Sequence, residues 1–439
     1  MDGEKKMTPL AIGIIGICAL IVLILMRMHI GISMGLVGFL GFAWIAGFDV
    51  AMGVLRTVPY TTFANQGMSV IPLFILMGAF AFTAGMSEDL YRAVHKLFGS
   101  LRGGLAMATV AACACFAAIS GSSLATAATL GRVAMPEMEK YKYDPALATG
   151  SIAAGGSIGI LIPPSVILII YGILTEQSIA KLFLAGFIPG ILEAVFYIIT
   201  ILILTRFRPE LGPPGPRTTL GTKLMALLRT WEVAVLFLLV IGGIYLGVFT
   251  PTEAAGIGAF CTFLFSLFRK KMTWKKFTGS LADTMQTAGM LFLIVLGAMI
   301  LGYFFSITRL PYELSSAVSA LPVNRYVIVV LILVVVLILG CLMDSLAIVL
   351  LTVPVFYPLI IDLGFNPVWF GILMVRVTEM GLITPPVGLN VFIIKGITNV
   401  PMETVFKGVL PFLVADFCQI ALMIMFPEII LFLPDLMNV

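Results

Sequence analysis

Gly159-Ile160-Leu161-Ile162-Pro163-Pro164 and, 222 residues later, Gly381-Leu382-Ile383-Thr384-Pro385-Pro386 interrupt two otherwise apolar stretches with the same proline pair. Laying residues 122–189 over 344–411 brings Pro136 onto Pro358, Pro145 onto Pro367, both proline pairs into register and Pro189 onto Pro411, without a gap. Chance placement of five prolines against seven in 68 positions would match roughly half of one. Gly159/Gly381, Gly186/Gly408 and Ser123-Leu124-Ala125/Ser345-Leu346-Ala347 coincide as well. The chain reads as an internal duplication.

Composition sets the environment. Of 439 residues 60% are hydrophobic and 11% charged, with a mean hydropathy of +1.13, whereas soluble domains carry about 25% charged residues. The fold class is therefore an all-α polytopic membrane protein. Apolar stretches near 10–26, 31–47, 70–85, 104–119, 180–205, 232–249, 253–268, 285–305, 327–342 and 408–426 are about long enough to cross a hydrocarbon core of roughly 30 Å as helices. Those lengths exclude a barrel. The six cysteines all fall inside apolar runs, and Cys113/Cys115 lacks zinc-site spacing, so they read as small buried apolar residues. His29 and His95, the only histidines, stand beside loop charges, which argues against a histidine metal site. Lys5 and Lys6 before an apolar run imitate a signal peptide, but no small-x-small cleavage site follows; the run is expected to be retained as a first span.

Halves that each cross the membrane an odd number of times insert with opposite topology. Placing 206–230 in the cytoplasm also puts 27–29, 86–102, 136–144, 269–276 and 395–407 inside. Of 26 Lys and Arg, 18 are then cytoplasmic, six periplasmic, and two, Arg132 and Arg376, at membrane depth. That distribution follows the positive-inside rule, with Lys5 and Lys6 as its exceptions. The expected organisation is a first inverted repeat over 1–205, with a re-entrant hairpin at about 103–136 and a broken helix at about 145–174. A polar, proline-rich cytoplasmic linker covers 206–230. A second inverted repeat over 231–439 has its hairpin at about 324–358 and its broken helix at about 367–396. The first hairpin enters from the cytoplasm and the second from the periplasm, so their tips meet near mid-membrane.

Proline lacks a backbone N–H, so the proline pairs are expected to leave the carbonyls of Gly159, Ile160, Gly381 and Leu382 without helical partners. Unpaired carbonyls in lipid cost several kcal/mol each. A dehydrated hard cation offsets that, because oxygen dipoles replace its hydration shell. Ser120, Ser122 and Ser123 at one tip, and Asp344, Ser345 and Thr384 on the other side, complete such shells with hydroxyls and a carboxylate. A cage of this kind suits Na⁺, at two symmetry-related sites or more, and offers no soft ligand for a transition metal. The half-helices beginning near Ser165 and Gly388 aim positive dipole ends inward, which favours an anionic substrate.

Ionisable residues near membrane depth are functional candidates. Asp344, at a hairpin tip, is the foremost. Arg376 and Glu379, three apart on one helical face, either pair with each other or serve substrate or gating. Arg132 either meets a carboxylate or snorkels; Asn390 either donates to substrate or bonds another helix. Arg132, Ser165, Arg376 and Asn390 are the candidate substrate ligands.

Cys115-Phe116-Ala117-Ala118-Ile119-Ser120-Gly121-Ser122-Ser123-Leu124-Ala125-Thr126, Gly159-Ile160-Leu161-Ile162-Pro163-Pro164-Ser165, Thr250-Pro251-Thr252-Glu253-Ala254-Ala255, Met343-Asp344 and Thr384-Pro385-Pro386-Val387-Gly388-Leu389-Asn390 together resemble the signatures of the large membrane subunit of tripartite ATP-independent periplasmic (TRAP) transporters, the DctM-like family. The resemblance covers nearly the whole chain. It implies a Na⁺-driven importer of organic acids, such as C4-dicarboxylates or sialic acid, at the bacterial inner membrane. Its hairpins and broken helices would form a moving elevator domain against a scaffold. It further implies a small four-helix membrane subunit and a soluble periplasmic substrate-binding protein as partners. Many relatives are fused to the small subunit; here only Met1–Pro9 precedes the first span, so that subunit is expected as a separate chain. Family sodium sites carry over to Ser120, Ser122, Ser123 and Gly159, and to Asp344, Ser345, Gly381 and Thr384. Neither an organic cofactor nor a nucleic acid is expected.

Other readings fit less well. A self-sufficient Na⁺/dicarboxylate symporter could share the hairpin architecture without needing a binding protein. An intramembrane aspartyl protease needs two facing aspartates; Asp344 lacks a Gly-x-Gly-Asp setting, and Asp283 is expected at a helix end. A channel has no use for two oppositely inserted half-sites.

Overall fold

The computed structural model describes residues 7–215, 218–319 and 322–437, and among them every regular element is a helix. Six helices are long and apolar enough to cross a membrane, or seven if Gly221–Leu228 and Trp231–Tyr245, bent by 52° at their junction, make one span. Pro9–Leu25 and Ile30–Ala46 are followed by Phe48–Phe63 and Val70–Thr83. Met86–Phe98 places its charges on one face, with Leu90, Tyr91 and Val94 buried on the other, so a hydropathy scan that expects loop at 86–102 passes over it.

Two helix–turn–helix hairpins follow the duplication. The first is Gly104–Ser120 and Ser123–Lys140; the second is Arg325–Gly340 and Ser345–Asp362. Pro136 and Pro358 were expected to end these returns, yet both lie inside helices that run on to Lys140 and Asp362. Each broken helix comes next: Pro145–Ser157 with Val166–Thr175, and Pro367–Gly381 with Leu389–Thr398. Each broken helix is followed by a long closing helix, Ile179–Phe207 and Met402–Met425, in which Pro189 and Pro411 are again interior; the short helix Glu428–Asp435 comes after the second and packs on Ile179–Phe207. Within 206–230, Leu220–Leu228 is helical.

Glycines set the closest approaches. A Cβ on Gly31 would lie 2.7 Å from the Leu293 carbonyl and one on Gly297 only 2.1 Å from that of Gly31. Ile30–Ala46 therefore packs backbone to backbone on Trp274–Thr308, a 35-residue helix, as small-residue stripes allow in lipid, where no hydrophobic drive brings helices together. Val70–Thr83 packs on Trp274–Thr308, and Pro251–Phe268 packs in turn on Val70–Thr83. The signature Thr250-Pro251-Thr252-Glu253 has a local purpose here. The Thr250 hydroxyl accepts from the Glu253 amide at 3.3 Å and the Glu253 carboxylate from the Thr250 amide at 2.8 Å, a capping box that starts the helix.

The two halves exchange partners. Pro145–Ser157, from the first half, packs on Met402–Met425 from the second, with a Cβ on Gly150 falling 2.2 Å from the Gly408 carbonyl. Pro367–Gly381 packs on Ile179–Phe207. Likewise Val166–Thr175 rests on the second hairpin's Ser345–Asp362, and Leu389–Thr398 on the first hairpin's Ser123–Lys140.

Candidate functional site

Both hairpin tips line one cavity of about 840 Å³. Ser120 to Ala125 and Asp344 to Leu346 form one wall, joined by Ile160, Val166, Ile167 and Leu382 from the two breaks. The opposite wall comes from Met28–Ile30, from Ile75, Gly78, Ala79 and Phe82, and from Asp283 to Ile294 of the long helix.

The first tip turns through Gly121, whose φ of +60° and 2.8 Å gap from a built Cβ to the Pro164 carbonyl leave glycine as the residue that fits. That contact seats the tip on the first break. Ser122 caps the returning helix, its hydroxyl accepting from the Ala125 amide at 3.4 Å. Thr126 donates to the Ser122 carbonyl at 2.8 Å and shares a 2.7 Å hydrogen bond with Ser120. Gly159 lies behind: a Cβ there would come 3.3 Å from the Ser122 carbonyl and from Ser123 Cα.

The second tip keeps the helix–turn–helix form but changes its chemistry, with Leu342, Met343, Asp344 and Ile348 standing where the first has Ser120, Gly121, Ser122 and Thr126. Asp344 stands at the position equivalent to Ser122 and also caps its helix, Oδ1 accepting from the amides of Leu346 at 3.0 Å and Ala347 at 3.2 Å. Gly340 and Gly381 meet backbone to backbone, a Cβ on Gly381 falling 2.5 Å from Gly340 Cα. The breaks differ in their carbonyls. Gly381 O accepts from the Thr384 amide at 3.0 Å and Leu382 O from the Asn390 amide at 3.0 Å, so both expected orphans are partnered. No turn or loop amide reaches Gly159 O or Ile160 O among the described residues. A carbonyl with one hydrogen bond still has a second lone pair.

Of the residues expected to hold Na⁺, Ser120, Ser122, Ser123, Asp344 and Ser345 line the cavity. Gly159 and Gly381 stand directly behind the tips. Thr384 lies outside the lining, its hydroxyl spent on the Met380 carbonyl at 2.6 Å.

None of the four expected substrate ligands lines the cavity. Arg132 is exposed, well along the returning helix from the tip. Ser165 is a buried cap, accepting from the Leu168 amide at 3.3 Å. Asn390 is fully buried and donates to the Ala153 carbonyl of the other half at 3.4 Å. Arg376 does not pair with Glu379. Its guanidinium, wholly buried, bonds Asp416, lies 3.3 Å from Glu193 and donates to Gln419 at 2.9 Å and Tyr197 at 3.3 Å. Glu193 also accepts from Ser157 at 3.0 Å. This cluster ties both closing helices to both broken helices. Sequence reasoning missed Glu193 and Asp416, although each is an acid inside an apolar span. It also put Asp283 at a helix end; Asp283 lies within Trp274–Thr308 and faces the cavity with Asp344.

Residues 17–429 match the family described as "Tripartite ATP-independent periplasmic transporter, DctM component". The chain is 35% identical over 377 residues to a C4-dicarboxylate TRAP transporter large permease protein of Pseudomonas aeruginosa, covering 86% of this chain and 88% of that one. It is 33% identical over 373 residues to a sialic acid TRAP transporter large permease protein of Vibrio cholerae, covering 85% and 87%. The crystal structure of the Alcanivorax borkumensis YdaH transporter shares the fold with a TM-score of 0.65, at 16% identity over 85% of this chain and 88% of that one.

Proposed function

Because the chain belongs to the DctM-component family of TRAP transporters, and is thus a multi-pass protein of the bacterial inner membrane, we propose that it is the large subunit of a Na⁺-coupled importer of an organic acid. The observation that carries this reading is the meeting of both hairpin tips and both helix breaks on one cavity. Tip hydroxyls, the Asp344 carboxylate and the carbonyls at Gly159 and Gly381 supply hard oxygen donors, the set Na⁺ prefers over softer metals. One Na⁺ sits at each tip. The substrate occupies the cavity between tips and opposite wall, where bound cations offset the charges of Asp283 and Asp344 and make room for a carboxylate.

Movement follows an elevator scheme. The hairpins, broken helices and closing helices travel together, held by the Arg376 cluster and the exchanged packing, against a scaffold of Ile30–Ala46, Val70–Thr83, Pro251–Phe268 and Trp274–Thr308. Met28–Ile30 and the Asp283 end of the long helix belong to segments that the charge map puts at the cytoplasmic side, so this conformation is read as inward-facing. A C4-dicarboxylate, sialic acid or a related carboxylate is the cargo, delivered by a periplasmic binding protein, with a small four-helix membrane subunit beside the scaffold.

Reconstitution with and without each partner tests the whole scheme. Uptake should require an inward Na⁺ gradient and the binding protein. Uptake indifferent to that protein would favour a self-sufficient symporter, and uptake indifferent to Na⁺ would remove the coupling ion.

A further inference from the structure

Glu379 is fully buried in the first segment of the second broken helix, does not line the cavity, and has no basic side chain within salt-bridge distance among the described residues. Its nearest cation, Arg376, is committed to Glu193 and Asp416. A carboxyl placed at membrane depth at such cost calls for a reason. Its surroundings supply one. Ser345 donates its hydroxyl proton to Glu379 Oε1 at 2.5 Å. Oε2 has no hydrogen-bond partner among the described residues. Ser345 also borders the cavity.

A hydroxyl has one proton and two lone pairs. When its proton is directed at an acceptor behind it, both lone pairs face forward, the orientation that a cation requires. Metal ligands are commonly fixed in this way by an acceptor one layer out. We propose that Glu379 is a positioning residue for the second tip site: it takes the proton of Ser345 and so presents that serine oxygen to Na⁺. The inference rests on the Na⁺ reading above.

Equilibrium binding of ²²Na⁺ to the purified full chain in nanodiscs tests this without knowledge of the cargo. Glu379→Gln should weaken Na⁺ binding by about tenfold or more, the usual loss when such an outer partner is removed, because an amide N–H would donate into one serine oxygen. Ser345→Ala should weaken binding, and in the Ser345→Ala background Glu379→Gln should have no further effect, a coupling that a merely structural role would not produce. Should Glu379→Gln fail to fold, Glu379→Asp, which shortens the reach by one methylene, should show the same loss and the same coupling. Wild-type affinity in a folded Glu379→Gln, or a full additional loss in the Ser345→Ala background, would overturn the proposal. Absence of ²²Na⁺ binding by the wild-type chain would overturn the Na⁺ reading itself, a different result.

Discussion

The two hairpin tips are one design carried out with two chemistries. Ser122 and Asp344 cap equivalent helices at equivalent positions, yet one cap is a hydroxyl and the other a carboxyl group. The breaks diverge likewise: the Gly381 and Leu382 carbonyls accept turn amides that have no counterpart at Gly159 and Ile160. Backbone geometry is thus held by the repeated prolines, glycines and caps, while charge and carbonyl supply are free to differ. Under the proposed Na⁺ reading, the tip with freer carbonyls would bind its cation through dipoles and the tip with partnered carbonyls through the Asp344 carboxylate.

The largest effect should come where the halves are fastened together. Arg376→Ala leaves Glu193 and Asp416 buried without their cation and should lower stability in mixed micelles by about 3–5 kcal/mol. Replacing all three by apolar residues of similar volume should recover most of it; no recovery would mean the cluster does more than join the halves. Next, Asp344→Ala and Asp344→Asn should both abolish Na⁺-dependent uptake with the protein still inserted, and the amide variant keeps a cap acceptor, so retained uptake there would show that capping was the carboxylate's whole role. Making the tips alike is gentler. Ser122→Asp should strengthen apparent Na⁺ affinity by about 1 kcal/mol, roughly fivefold, as a second carboxylate about 4 Å from a hydrated site would, and an unchanged affinity would mean that the charge difference between tips is incidental. Ser122→Ala removes only a cap and should cost about 1 kcal/mol of stability; a much larger loss of uptake than of stability would mark Ser122 as a ligand.

The sequence spelled out whatever depends on local backbone chemistry. Proline pairs, tip glycines and N-caps act within a turn of themselves, so a constant offset was enough to find breaks and tips. It also misled: Pro136 and Pro358 read as stops, but proline is tolerated inside a membrane helix when neighbours satisfy the freed carbonyl. The Arg376 cluster stayed hidden because its members come from four separated helices. Glu193 and Asp416 stand 223 residues apart, one off the repeat, so the alignment that exposed the tips slides past them. Met86–Phe98 was hidden differently, its polar face diluting the apolar signal.

The exchanged packing also fixes an order of events in the making of the chain. Pro145–Ser157 has Met402–Met425 for its neighbour, and at roughly 5–20 residues per second of synthesis that neighbour arrives on the order of ten seconds or more later. Until then the small-residue face at Gly150 lacks the helix it packs on, and a ribosome stalled between the halves would leave that face waiting for Met402–Met425.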